Sequence, residues 1–142
     1  MKPVRKTSKA RKRPTDYEGP EQIAFMLWLK VHYPWAEEVC IHVPNGGSRN
    51  KIEAAKLKKQ GVKAGFPDLV FFLPRGEYHG LAIEFKATPP NDADVQTNQK
   101  EWLQRLTDQG YKAVVARGYD EIRQVFKDYI SEPAPHVRKA VA

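Results

Sequence analysis

Three residues of this 142-residue chain combine types that could do chemistry together: Asp68, Glu84 and Lys86. Asp68 follows Pro67 and opens the apolar run Leu69-Val70-Phe71-Phe72-Leu73. Glu84 and Lys86 close a second run, Leu81-Ala82-Ile83-Glu84-Phe85-Lys86. Side chains alternate along a strand, so Glu84 and Lys86 share one face while Phe85 takes the other. The polar turn Pro74-Arg75-Gly76-Glu77 predicts a hairpin, which would bring Asp68 beside that pair. Two carboxylates and an ammonium at one sheet end suit magnesium, which takes one or two carboxylates, waters and substrate phosphate. The Phe85 backbone carbonyl is a third candidate oxygen. An ion held there would lower the pKa of a water and offset charge on a phosphate, with Lys86 holding the water or a phosphate oxygen. Taken singly, each residue has a plainer reading. An Asp after Pro is a turn residue, and Glu-x-Lys is a solvated strand face.

The elements that must position these residues can be read in order. Residues 1–15 lack apolar periodicity and are expected to be disordered in isolation. Pro20 suits a helix start, and Ile23, Phe25, Met26, Leu27, Trp28 and Leu29 carry the helix to Tyr33, before Pro34. That helix is apolar on more than one face, which predicts substantial burial. Val39 to Val43 reads as a short strand, Asn45-Gly46-Gly47 as a loop, and Asn50 to Gln60 as a helix stopped by Gly61. After the hairpin come a loop over Thr88 to Asp94 and a helix from Val95 to Gln109. A strand over Ala113 to Ala116 and a helix from Asp120 to Ile130 follow. A mobile tail is expected from Ser131. The order predicts one α/β domain over 16–130, with a mixed sheet flanked by helices.

This ordered set resembles the VRR-Nuc family (virus-type replication-repair nucleases) of the PD-(D/E)XK superfamily, over roughly residues 15–130. The residues that carry the resemblance are His42-Val43-Pro44-Asn45-Gly46-Gly47 and Gly61-Val62-Lys63-Ala64-Gly65-Phe66-Pro67-Asp68-Leu69. Gly80 through Lys86, Gln99 through Leu106 and Gly110-Tyr111 complete them. It implies a restriction-endonuclease-like core and hydrolysis of DNA phosphodiesters with Mg2+ or Mn2+, with Asp68, Glu84 and Lys86 catalytic. It also implies a helix-borne glutamate, assigned to Glu21 with Glu18 as competitor, and a glutamine on the later helix, matched by Gln99. Glu21 would then be a further metal ligand. By the same analogy, stand-alone members are viral or phage enzymes that act as homodimers on branched DNA such as four-way junctions, in replication and repair. Two rivals stay open: a flap- or restriction-type nuclease, and a nucleic-acid-binding accessory protein without a working site.

Charge points to the same class of partner. The net charge of +7 is concentrated in residues 1–13, where Lys2, Arg5, Lys6, Lys9, Arg11, Lys12 and Arg13 face no acid. The rest carries 17 basic and 17 acidic groups, so a basic arm precedes a formally neutral body. The plainer alternative is a solubilising tail. Asn45, Ser48 and Arg49 lie in a glycine-flexed loop that could approach a phosphate backbone. Lys63, beside the Asp68 turn, is a second candidate DNA contact. Of the other basic residues, Lys56 and Lys59 read as a solvated helix face.

The remaining composition narrows the field. Cys40 is the only cysteine, so there is no internal disulfide and no cysteine-built zinc site, and it reads as a small core residue. His32, His42 and His79 lack metal-ligand spacing, which gives zinc no site. Trp28, Trp35 and Trp102 are expected in the core. No apolar run approaches the ~20 residues of a membrane span, and no apolar stretch follows the basic N-terminus. A cytoplasmic setting, DNA as partner and no small-molecule cofactor complete the expectations.

Overall fold

A computed structural model of the chain describes residues 12–44 and 50–135. Its centre is strand β3 (Leu81–Lys86), in which all six residues are buried. The sheet order is β1-β2-β3-β4, with β1 at Cys40–His42, β2 at Leu69–Phe71 and β4 at Lys112–Arg117. β1 and β2 are antiparallel, as are β2 and β3, whereas β3 and β4 run parallel. A parallel pair needs a crossover, and helix α4 (Thr97–Asp108) supplies it. The predicted mixed sheet flanked by helices, of the α/β class, is therefore present.

Alternation along β3 divides the molecule. Leu81, Ile83 and Phe85 enter the core with Phe25 and Leu29 of α1 (Glu18–His32) and Ile122, Phe126 and Tyr129 of α5 (Tyr119–Ser131). The α5 positions fall at i, i+4 and i+7, one helical stripe. Phe126 anchors this side: its ring lies 5.2 Å from that of Phe71 and 5.1 Å from that of Tyr33. Glu84 and Lys86 lie on the other parity, and α4 packs there against β3.

Several expectations need correcting. α1 is not substantially buried: only Phe25 and Leu29 are, while Ile23, Leu27 and Val31 are 63%, 61% and 73% exposed. The sheet covers one side of this helix, and no element covers the other among the described residues. A further helix, α2 (Pro34–Glu37), follows directly, with Pro34 at its first position. Trp35 on it is 46% exposed, with the Arg75 guanidinium 5.6 Å from its ring centroid, so it is not core. Trp28 is partly buried against the core. Trp102 is half-buried and donates from Nε1 to the Ala64 carbonyl at 3.1 Å. Ser131 still belongs to α5, and Pro133 accepts from Gly76 N at 2.7 Å, so the chain stays attached past the expected start of the tail.

Other local readings match the structure. Asn50 caps α3 (Lys51–Lys59) by accepting from Glu53 N at 2.7 Å, and Gly61 follows at φ +105°. α3 buries none of its residues. Cys40 is buried, which pushes its thiol up to about 12.

Candidate active site

Asp68 stands at the mouth of β2 because the turn before it is held on two sides. Gly65 adopts φ +83°, and a Cβ there would meet the Asn98 backbone carbon of α4 at 2.8 Å. Only glycine allows the turn to lie so close to that helix. From its other side, β1 holds the Asp68 carbonyl, which accepts from Val43 N at 2.9 Å and contacts His42 Nδ1 at 2.8 Å. The Asp68 carboxylate then reaches β3, where Oδ2 accepts from Phe85 N at 2.8 Å. The hairpin thus joins Asp68 to the Glu84–Lys86 strand end, as the spacing predicts.

Glu84 and Lys86 are only 2% and 5% exposed, so their charges must be met inside the protein. Lys86 Nζ lies 3.4 Å from Glu84 Oε1. Gln99 bridges the pair: its Nε2 donates to Glu84 Oε1 at 2.7 Å, and its Oε1 accepts from Lys86 Nζ at 3.3 Å. The same Oε1 accepts from Gln96 N at 2.8 Å, half of a capping box that starts α4. Gln99 is therefore fixed by its helix before it touches the strand.

One atom is left over. Among the described residues, Glu84 Oε2 is the buried side-chain oxygen without a hydrogen-bond partner. Burial, then the charge of Asp68, pushes the Glu84 carboxyl up to about 7, against the pull of Lys86. Asp68 is raised as well, by burial, against the Phe85 amide, Glu84, Lys86 and His42. Two carboxylates this close need positive charge between them, either a shared proton or a cation. The described residues contain no cluster of three or more His, Cys, Asp and Glu that would cage a metal alone. Magnesium needs no such cage: one or two carboxylates, a carbonyl, water and phosphate satisfy it. Asp68, Glu84 and the Phe85 carbonyl are the groups that would make up such a set.

The helix glutamate is a correction. Glu21 does not face this group: it accepts from Thr88 N at 2.8 Å, from Thr88 Oγ1, and from Tyr119 N at 3.2 Å. Burial raises its pKa, but these three donors outweigh burial and lower it. Its role is to tie α1 to the ends of β3 and β4. Glu18, one turn earlier, is the carboxylate that senses the site. Its pKa is raised by burial and by Asp68 and Asp16, with Lys86 opposing. The sequence offered two acids three residues apart, and partners 67 and 98 residues away decide between them.

Of the candidate DNA contacts, Lys63 is exposed, as are Lys12 and Arg13. Asn45, Ser48 and Arg49 lie outside the described residues, as do Lys2, Arg5, Lys6, Lys9 and Arg11. Sequence reasoning missed Gln22, whose Nε2 lies 3.1 Å from His42 Nδ1, and the contact of His42 with Asp68. Gln22 carried no local signal, and His42 stood out only as part of the motif that carries the resemblance; their contacts are long-range, 20 and 26 residues apart in sequence.

A raised carboxylate makes stability depend on pH. Folded Glu84 holds its proton to about pH 7, well above its ordinary value of 4.5. Between those values the folded state binds more protons than the unfolded one, so stability falls as pH rises through the window. The metal-free protein is expected to melt lower at about pH 8 than at about pH 5.5, and Glu84→Gln should flatten that slope. Calorimetry in chelator checks it; a melting temperature that rises over this range contradicts the shift.

A mixed sheet ending in Asp68, buried Glu84 and Lys86, and the Gln99 that bridges them is the arrangement of a PD-(D/E)XK-type nuclease core. Comparison with known proteins agrees. The VRR-NUC domain family model matches residues 12–120. A solved structure described as a "VRR_NUC domain protein" is 35% identical, with a TM-score of 0.74, over 86% of this chain and 94% of that one. Among curated proteins nothing matches. The chain belongs to the VRR-NUC family.

Proposed function

We propose that the protein is a magnesium-dependent endodeoxyribonuclease that cuts branched DNA, four-way junctions included, as a homodimer. The observation that carries the chemistry is the buried Glu84 Oε2, which meets no donor of its own and has the Asp68 carboxyl as its neighbour. Asp68, Glu84 and the Phe85 carbonyl would hold the ion, with Glu18 as the helix-borne carboxylate nearest them; manganese suits the same oxygens. Bound magnesium supplies Lewis acidity, acidifying water and offsetting charge on the phosphate. Lys86 orients the water or a phosphate oxygen with its ammonium, and Gln99 holds Lys86 and Glu84 in register. Phe85 N–H fixes the Asp68 carboxylate before substrate arrives. Lys63, Asn45, Ser48, Arg49 and the N-terminal basic arm would bind phosphates without reading sequence.

Branched substrate and dimer belong together, since paired incision of two strands needs two sites related by symmetry. The exposed stripe Ile23, Leu27 and Val31 on α1 supports a second copy docking there. Leu27→Glu is expected to shift the protein from dimer to monomer in sedimentation and to turn paired incisions into single nicks. A dimer unaffected by Leu27→Glu together with Ile23→Glu would remove this face from the account.

The test of the whole reading is a cleavage assay on four-way, flapped and linear DNA of matched sequence, with magnesium or chelator. Metal-dependent cutting, strongest on the four-way substrate, is the expected result. Preference for flaps or for linear sites would keep the nuclease and replace its substrate.

A further inference from the structure

We infer that His42 is a positioning residue: its Nδ1–H holds the Asp68 carbonyl and, through Gln22, couples helix α1 to the Asp68 turn. The inference rests on the proposed metal-dependent reading only for its effect on cleavage and metal binding.

The argument begins with what a carbonyl oxygen can do. It only accepts, so the 2.8 Å contact between His42 Nδ1 and the Asp68 carbonyl requires the proton to sit on Nδ1. That fixes one tautomer and leaves Nε2 with its lone pair when the ring is neutral. Gln22 Nε2 lies 3.1 Å from the same Nδ1, and two donors cannot satisfy each other. The Gln22 carboxamide is therefore turned by 180°, so that its oxygen shares the Nδ1 proton with the Asp68 carbonyl.

The consequence is positional. The Asp68 carbonyl accepts from Val43 N, just past the end of β1, at 2.9 Å and from the imidazole of His42, while its carboxylate accepts from Phe85 N at 2.8 Å. Asp68 is thus clamped between β1 and β3 at both ends. Gln22 stands four residues after Glu18, one turn along the same face of α1. The Gln22–His42–Asp68 chain therefore sets the distance between the helix bearing Glu18 and the strand end bearing Asp68. An oriented carboxylate is what metal affinity needs, and losing such an outer partner typically lowers affinity or activity about 10- to 100-fold.

Asparagine is the informative substitute, because its side-chain N–H2 occupies nearly the place of His Nδ1–H. The experiment compares wild type, His42→Ala, His42→Asn and Gln22→Ala. In the metal-free wild type, nitrogen-detected NMR of the imidazole should show the Nδ1–H tautomer. The Phe85 amide resonance should shift in His42→Ala and stay near its wild-type position in His42→Asn. Calorimetric Mn2+ affinity and kcat should both fall about 10- to 100-fold in His42→Ala, with DNA affinity and KM little changed. His42→Asn should recover most of that loss, and Gln22→Ala should show a smaller one. An Nε2–H tautomer in the wild type, or a His42→Asn protein as impaired as His42→Ala, would overturn the inference. If the wild type binds no metal and cuts nothing, the proposed function fails, while the tautomer and the Phe85 amide still judge His42.

Discussion

Glu84→Gln is expected to abolish cleavage and to raise the melting temperature of the metal-free protein above neutral pH. The two effects have one cause. Glu84 is buried beside Asp68 with one oxygen that meets no donor of its own, and burial and that neighbour push its carboxyl up to about 7. Ionised Glu84 is a burden on the fold that only a cation or a proton relieves. Glutamine keeps the shape and the bond from Gln99 but carries no charge. A site built to hold a cation loses its reason and its affinity, and cleavage should fall by at least roughly 10²- to 10³-fold. Each kcal/mol recovered should add roughly 3–5 °C to the melting temperature of a chain this size. A merely structural carboxylate would instead leave the variant less stable and just as active.

Lys86→Met should fail in both respects. Lys86 is 5% exposed and its ammonium meets Glu84 and Gln99, so its removal leaves Glu84 with the Gln99 amide alone. Removing one partner of a buried pair costs about 3–5 kcal/mol when the remaining charge cannot escape. Glu84 can escape by taking a proton, so the cost is expected in full only well above pH 7 and should shrink towards acid. Cleavage should fall about 10²- to 10³-fold at every pH, because the ammonium beside Glu84 that orients the water or phosphate oxygen is gone. Melting curves and single-turnover rates on the same samples separate the two losses. Equal destabilisation at acid and alkaline pH would show that Lys86 is not opposed to Glu84.

The hairpin shows why part of this site was legible in the sequence. Pro67-Asp68 before one apolar run and Glu84-Phe85-Lys86 after the next can meet only if the runs pair, and period-two alternation then settles the face. Gln99 was reached only through the family resemblance, because the capping contact with Gln96 and the bonds to Glu84 and Lys86 that fix it appear only in the fold. The glutamate on α1 was not legible either. Glu18 and Glu21 are equally good first-turn acids, and only contacts with Thr88, Tyr119, Asp68 and Lys86 distinguish them. The α1 surface misled for a different reason. Hydrophobicity all round a helix signals burial, yet Ile23, Leu27 and Val31 face outward from a single chain. Sequence pattern records that a face is apolar, not which molecule covers it.

The most direct test of the central claim, that Asp68 and Glu84 hold the cation that drives hydrolysis, is a magnesium titration of single-turnover cleavage. Wild type and Asp68→Asn should be compared side by side on one four-way DNA. Wild type should be silent in chelator and rise to saturation with magnesium, while Asp68→Asn still binds the DNA but cuts no faster at any concentration. Cutting that persists in chelator, or an Asp68→Asn protein that follows the wild-type curve, would contradict the assignment.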